Sequence, residues 1–201
     1  MTKVTLNLSS IYFQSNLILI PEDTLKAMNN LANCYQTAGT ELDKAEELFK
    51  IIISKRILSL GENHPLTTMT KLNLGNVYTK MGKYHLAEPL VTGACEKSSK
   101  VLGESHPDTL SCRINLAVLH DAKEEYEIAE TILIDTLKKF SETVGLNNAL
   151  ADQCSQFLKS VQMKKMFNQG SNPFSDSIDS ITKQFLAMKR MDRDDDSGPD
   201  K

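Results

Sequence analysis

The sequence lacks most of the marks that assign a chemistry. Apolar runs such as Leu17–Ile20 stop at four residues, far short of the roughly 20 that a membrane-spanning helix needs. No membrane span is therefore expected. The four cysteines (Cys34, Cys95, Cys112 and Cys154) lie far apart, with no Cys-x-x-Cys pair. That argues against a disulfide framework or a zinc site and for reduced thiols in a cytoplasmic protein. Basic residues (23) do not outnumber acidic ones (26), so the footprint of a nucleic-acid binder is missing. There is no Gly-x-Gly-x-x-Gly, no phosphate loop, no Gly-x-Ser-x-Gly and no His-Glu-x-x-His. No catalytic residue, metal or cofactor is expected on that ground. Met1-Thr2-Lys3 leads into neither an apolar signal segment nor an Arg-rich transit segment, which again makes the cytoplasm the expected location.

What is present is chain enough for one globular domain: 201 residues, 40% of them hydrophobic. The formal charge of −3 is concentrated at the end, where residues 192–201 hold five Asp against two basic side chains. The body is neutral, and the end reads as an acidic, solvated tail.

The body repeats itself. Leu60-Gly61-Glu62-Asn63-His64-Pro65-Leu66-Thr67 returns as Leu102-Gly103-Glu104-Ser105-His106-Pro107-Asp108-Thr109, an offset of 42. The same offset carries Asn73-Leu74-Gly75 onto Asn115-Leu116-Ala117 and Ala87-Glu88 onto Ala129-Glu130. Asn30-Leu31-Ala32 precedes its counterpart by 43, which places one extra residue near Gly39–Asp43. Further on, Val144-Gly145-Leu146 keeps the turn without its His-Pro. A period in this range is the mark of a repeat array.

Each unit predicts two helices. Pro65 and Pro107 suit a first helical turn, where a missing N–H costs nothing. Leu72, Leu74, Val77, Tyr78 and Met81 recur at helical spacing. Met81-Gly82-Lys83 breaks the helix, and a second stripe runs through Ala87, Leu90, Val91 and Ala94. Gly61, Gly103 and Gly145 stand where helix C-termini favour positive φ. Strand-like alternation is confined to Thr5–Leu8, so the expected fold is all-α.

These residues resemble the tetratricopeptide repeat in its longer kinesin-light-chain form. That form carries a Leu-Gly-x-x-His-Pro-x-Thr turn, an Asn-Leu-Ala-x-x-Tyr first helix and a Gly-Lys-Tyr-x-x-Ala-Glu second helix. Leu74, Gly75, Tyr78, Ala87 and Ala94 fall on its spacing, as do Leu31, Ala32, Tyr35, Ala45 and Phe49. The third unit adds Leu116, Ala117, Ala129 and Leu133, with His120 in place of the usual Tyr. The resemblance implies a right-handed α-solenoid of helix-turn-helix repeats closed by a C-terminal capping helix. The units are expected at residues 21–60, 61–102 and 103–144, with a degenerate fourth first helix at 145–167. Residues 1–20 then form a truncated remnant or N-terminal cap, 168–191 a linker and last helix, and 192–201 the tail. In that last helix Ile178, Ile181, Phe185 and Met188 make one stripe behind Asp176. The small residues Gly75, Ala32 and Ala117 are expected to face Ala45, Ala87 and Ala129 across a close helix crossing.

The resemblance also implies a non-enzymatic scaffold or adaptor that binds a partner peptide or helix in its concave groove. The candidate groove residues are Asn30, Asn33, Asn73, Asn76 and Asn115, with Val118 completing the pattern. Side-chain amides both donate to and accept from an extended peptide; equally, they serve to bond neighbouring helices. The alternative is a regulatory segment, even a fragment, of a larger signalling protein that packs against its own effector domain. A clamp for the terminal carboxylates of heat-shock chaperones is not expected, because Ser111 and Asn115 stand where cations are needed. Asn172-Pro173-Phe174 resembles the short motif bound by endocytic EH domains, and equally an ordinary turn. Asn7-Leu8-Ser9 is a formal glycosylation sequon with no secretory signal behind it. His64 and His106 have no ligand set around them and are read as turn packing and carbonyl bonding.

Overall fold

The computed structural model describes residues 20–143 and 149–169. Seven helices follow one another there, without a strand among the described residues: α1 (Glu22–Ala38), α2 (Leu42–Leu60), α3 (Pro65–Lys80), α4 (Tyr84–Leu102), α5 (Pro107–Ala122), α6 (Tyr126–Thr143) and α7 (Ala149–Asn168). The expected segment before Ile20, Gly145, the last helix behind Asp176, Asn172-Pro173-Phe174 and the acidic tail lie outside the described residues.

The turns form for local reasons. Pro65 and Pro107 occupy the first turns of α3 and α5. The preceding histidines act as caps: Nδ1 of His64 accepts from the Leu66 amide and Nδ1 of His106 from the Asp108 amide, each at 3.2 Å. This corrects the expected carbonyl bonding, because a free helix N-terminus offers donors rather than acceptors. Gly61 and Gly103 adopt φ of 95° and 92° behind α2 and α4. Within the second unit Gly82 turns the chain at φ 72°, and its counterpart in the third unit is Glu124 at φ 63°. The extra residue of the first unit falls at Glu41, also left-handed at φ 54°.

Packing is sequential. Each helix lies against the next, and α3 against α1 and α5, α7 against α5. First helices thus touch each other across successive units, and no pair of second helices packs to the same extent. The first helices therefore make the tighter, inner layer of a solenoid, and the second helices the outer one. Within the second unit a Cβ added to Gly75 would lie 2.7 Å from Val91 Cγ2 and 3.4 Å from the Ala87 carbonyl oxygen. The expected crossing is present, but Gly75 meets the Val91 side chain first and Ala87 through its backbone. Ala32, Ala45, Ala87, Ala117 and Ala129 are fully buried. The apolar interior divides into two clusters. One runs through the first two units to Cys112 and Leu119, and the other joins Leu110, Leu133 and Phe140 to Cys154 and Val161.

Two substitutions test this account by urea unfolding. Ala87→Leu overpacks the crossing and is expected to cost about 1–3 kcal/mol. Glu124→Gly relieves a left-handed residue and is expected to gain about 1 kcal/mol.

Candidate functional site

The inner layer is built on the seams between units, and the seams explain where the asparagines go. Asn73 donates from Nδ2 to Asn33 Oδ1 at 3.3 Å, joining α3 to α1. Asn76 donates to Asn115 Oδ1 at 2.9 Å, joining α3 to α5, and Asn115 in turn donates to the Ser111 carbonyl at 2.9 Å. All four are half-buried, while Asn30 is exposed and its side chain bonds nothing among the described residues. The structure thus brings four of the five candidates together as two bridging pairs and leaves Asn30 outside them. Bridging does not exhaust the amides. Asn73 Oδ1, Asn76 Oδ1 and a proton of Asn33 Nδ2 stay available on the inner layer.

The seams change character along the array. At the third seam the corresponding positions are Val118 and Phe157, 42 residues beyond Asn76 and Asn115. The outer half of each seam follows the same course. Arg56 on α2 is buried and donates to Thr70 Oγ1 (2.6 Å) and the Leu66 carbonyl (3.2 Å) on α3. It also pairs with Glu22 Oε1 at 2.6 Å, so one guanidinium ties three helices. One repeat on, Ser98 stands 3.6 Å from Cys112 Sγ. One further, Phe140 and Cys154 share an apolar cluster.

A series of carboxylates completes the joints. Glu46 accepts from Lys50 (2.5 Å), Lys83 (3.0 Å) and Tyr78 (3.3 Å). Glu88 accepts from Lys123 at 3.3 Å, and Glu130 from Lys165 (2.8 Å) and Gln162 (2.9 Å). The hydrogen bond from Lys50 above all, then that from Lys83, holds the Glu46 carboxyl below the ordinary range. Lys165 and then Gln162 do the same for Glu130. The recurrence of Ala-Glu at offset 42 was the available signal for this series, but it says nothing of what each Glu pairs with. Arg56 had no signal, because it occurs once. Nor did the sequence join Ser98 to Cys112, two buried side chains 3.6 Å apart across the second seam.

No cluster of three metal-ligating side chains occurs among the described residues. No helix there is long and apolar enough to cross a membrane. The arrangement offers amides, hydroxyls and ion pairs on a scaffold, which suits recognition of another chain.

Comparison with known proteins gives one family and one fold. The family model for the tetratricopeptide repeat matches residues 23–96 and 67–141. Among solved structures, the chain is similar to the nearly identical TPR-like repeats of a candidate kinesin light chain of Podosopora anserina. The TM-score is 0.63 at 19% identity, over 80% of this chain and 76% of that one. A single-residue variant of that protein gives 0.62 at 20% identity, over 81% and 76%. BtubC (BKLC) from P. vanneervenii gives 0.62 at 19% identity, over 96% of this chain and 75% of that one. No curated protein matches in sequence.

A double-mutant cycle on Asn76→Ala and Asn115→Ala checks the second seam. Urea unfolding is expected to show a coupling of about 0.5–1.5 kcal/mol, the net worth of one hydrogen bond. Strict additivity would mean that the pair does not hold the helices together.

Proposed function

The chain belongs to the tetratricopeptide repeat family, and from that premise we propose that it is a non-enzymatic, cytoplasmic interaction scaffold. Its inner face binds an extended segment of a protein partner along α1, α3 and α5. One observation carries this reading: the seam amides present a row of unspent donors and acceptors on the layer where successive first helices meet. A bound strand has its own amide and carbonyl groups to satisfy, and such a row satisfies them without demanding one side-chain sequence. The kinesin light chain likeness supports the scaffold class through the fold alone; a motor is not part of the proposal. Bonding between neighbouring helices and reading of a peptide are compatible, since each amide has more capacity than the seam uses.

Affinity capture with the parent, the Asn30/Asn73/Asn115→Ala variant and the single variant Asn30→Arg tests this. Asn30→Arg removes no bond seen among the described residues, so its fold is expected to hold, as circular dichroism will check. We expect binding to fall at least tenfold in the triple variant and severalfold in Asn30→Arg. Hydrogen exchange of the captured complex should slow on α1, α3 and α5. Equal capture by all three proteins, or protection confined to α2, α4 and α6, would move binding off the inner face and sink the proposal.

A further inference from the structure

Helix α7 outruns the first helices of the second and third units. α3 ends at Lys80 and α5 at Ala122. In that register α7 would end at Lys164, yet it runs on to Asn168. Met166 stays inside the helix, although its counterparts Gly82 and Glu124 turn the chain at positive φ. The turn that returns a second helix is therefore not where the other units have it. Gln156, Lys159, Met163 and Met166 are all exposed and fall at steps of three, four and three, which puts them on one face of α7. Phe167, also exposed, flanks them.

The chain carries a segment with the mirror-image spacing. Residues 170–201 lie outside the described ones, and in their sequence Ile178, Ile181, Phe185 and Met188 also follow at three, four and three. No glycine or proline interrupts residues 174–197, and Asp176 is a suitable N-cap. Asp179, Ser180, Lys183 and Arg190 fall on the opposite side of such a helix. The second unit shows how a register follows from a turn. Around Gly82, a Cβ on Gly75 would stand 3.3 Å from Leu90 Cβ, so facing positions lie about equally far from the turn. Residues 169–175 hold Gly170 and Asn172-Pro173 and are centred on Asn172. Equal steps from that centre set Met166 against Ile178, Met163 against Ile181, Lys159 against Phe185 and Gln156 against Met188.

We propose that this face of α7 is the docking surface for residues 176–190 of the same chain, which pack on it as an antiparallel amphipathic helix in that register. The two apolar pairs, Met166–Ile178 and Met163–Ile181, sit nearest the turn. Lys159 forbids the close crossing that Gly75 permits, but its stem and ammonium suit the face of an aromatic ring. Phe185, the aromatic member of the stripe, falls opposite it. The short tether favours this occupant over a second copy. It holds the segment at an effective concentration on the order of millimolar. Peptide binding along α1, α3 and α5 does not use this face, so the two proposals stand or fall separately.

The test uses the full chain in a Cys34→Ser background. Two cysteine pairs read the register: Met163→Cys with Ile181→Cys, and Met166→Cys with Ile178→Cys. Met163→Cys with Lys183→Cys is the control, because position 183 lies off the stripe. Under mild oxidation both facing pairs are expected to close within one chain at least tenfold faster than the control, as peptide mapping will show. Separately, Phe185→Asp is expected to speed amide hydrogen exchange on residues 160–168 at least tenfold and to leave α1 to α5 unchanged. Facing pairs that close no faster than the control, or that link two chains in place of one, would overturn the proposal. So would unchanged exchange on residues 160–168 in Phe185→Asp.

Discussion

Each unit of this array exists because two helix backbones cross too closely for an ordinary side chain. At Gly75 even a methyl group would stand 2.7 Å from Val91, and the alanines around the equivalent crossings are fully buried. That proximity lets the stripe of Leu72, Leu74 and Val77 meet the stripe of Ala87, Val91 and Ala94. A two-helix hairpin remains too thin to cover its own faces, so each unit needs the next. The middle unit shows the consequence. α3 is enclosed by α2, α4, α1 and α5, and threonines are buried round its circumference beside the leucines. Thr70 and Thr79 are admissible there because they return their hydroxyls to the Leu66 and Gly75 carbonyls, four residues back.

If the crossing makes the unit, the seam makes the array, and the two obey different chemistry. Crossing positions stay small and apolar in every complete unit. Seam positions drift. The outer half passes from Arg56–Thr70 through Ser98–Cys112 to Phe140–Cys154, and the inner half from two asparagine pairs to Val118 and Phe157. Polar pairs fix register by direction, since a misaligned amide or guanidinium loses its partner and remains half-buried. Apolar pairs contribute through area and tolerate sliding. The first two joints are thus the ones fixed by polar pairs at these two positions, and they coincide with the amide-lined stretch of the inner face. The division of the interior into two apolar clusters fits this change of character.

The repeat was legible because both demands leave a period. The offset of 42, the Pro65 and Pro107 starts, the Gly82 turn and the small residues at the crossing all act within one unit, where sequence distance and spatial distance agree. The seams were only half legible. The asparagines were visible as a recurring residue type, but a peptide-reading ladder and a helix-bridging ladder look alike in sequence. Asn73–Asn33 and Asn76–Asn115 join positions about 40 residues apart, which only packing reveals. The histidine caps were missed for a related reason. His64 and His106 were seen to sit at turns, yet the direction of their hydrogen bonds depends on a helix N-terminus that begins one residue later. Arg56 breaks the period, and a reading built on periodicity passes over what occurs once.

The end of the described array shows that crossing and seam are separable. Helix α7 keeps the seam register of a first helix: Cys154 and Val161 are buried, and Gln162 and Lys165 hold Glu130 as Tyr78 and Lys83 hold Glu46. Lys164 reaches back to Asp121 at 2.6 Å. Its crossing position, 42 residues beyond Ala117, is Lys159, and that side chain is exposed. A lysine cannot occupy the space that Gly75 leaves for Val91. Whatever meets this face of α7 must therefore approach it differently from the way α4 approaches α3. Met163, Met166 and Phe167 are exposed beside it. Helix α7 thus keeps half of the unit's design: it closes the third seam, and at the crossing position it carries an exposed Lys159 in place of a small residue.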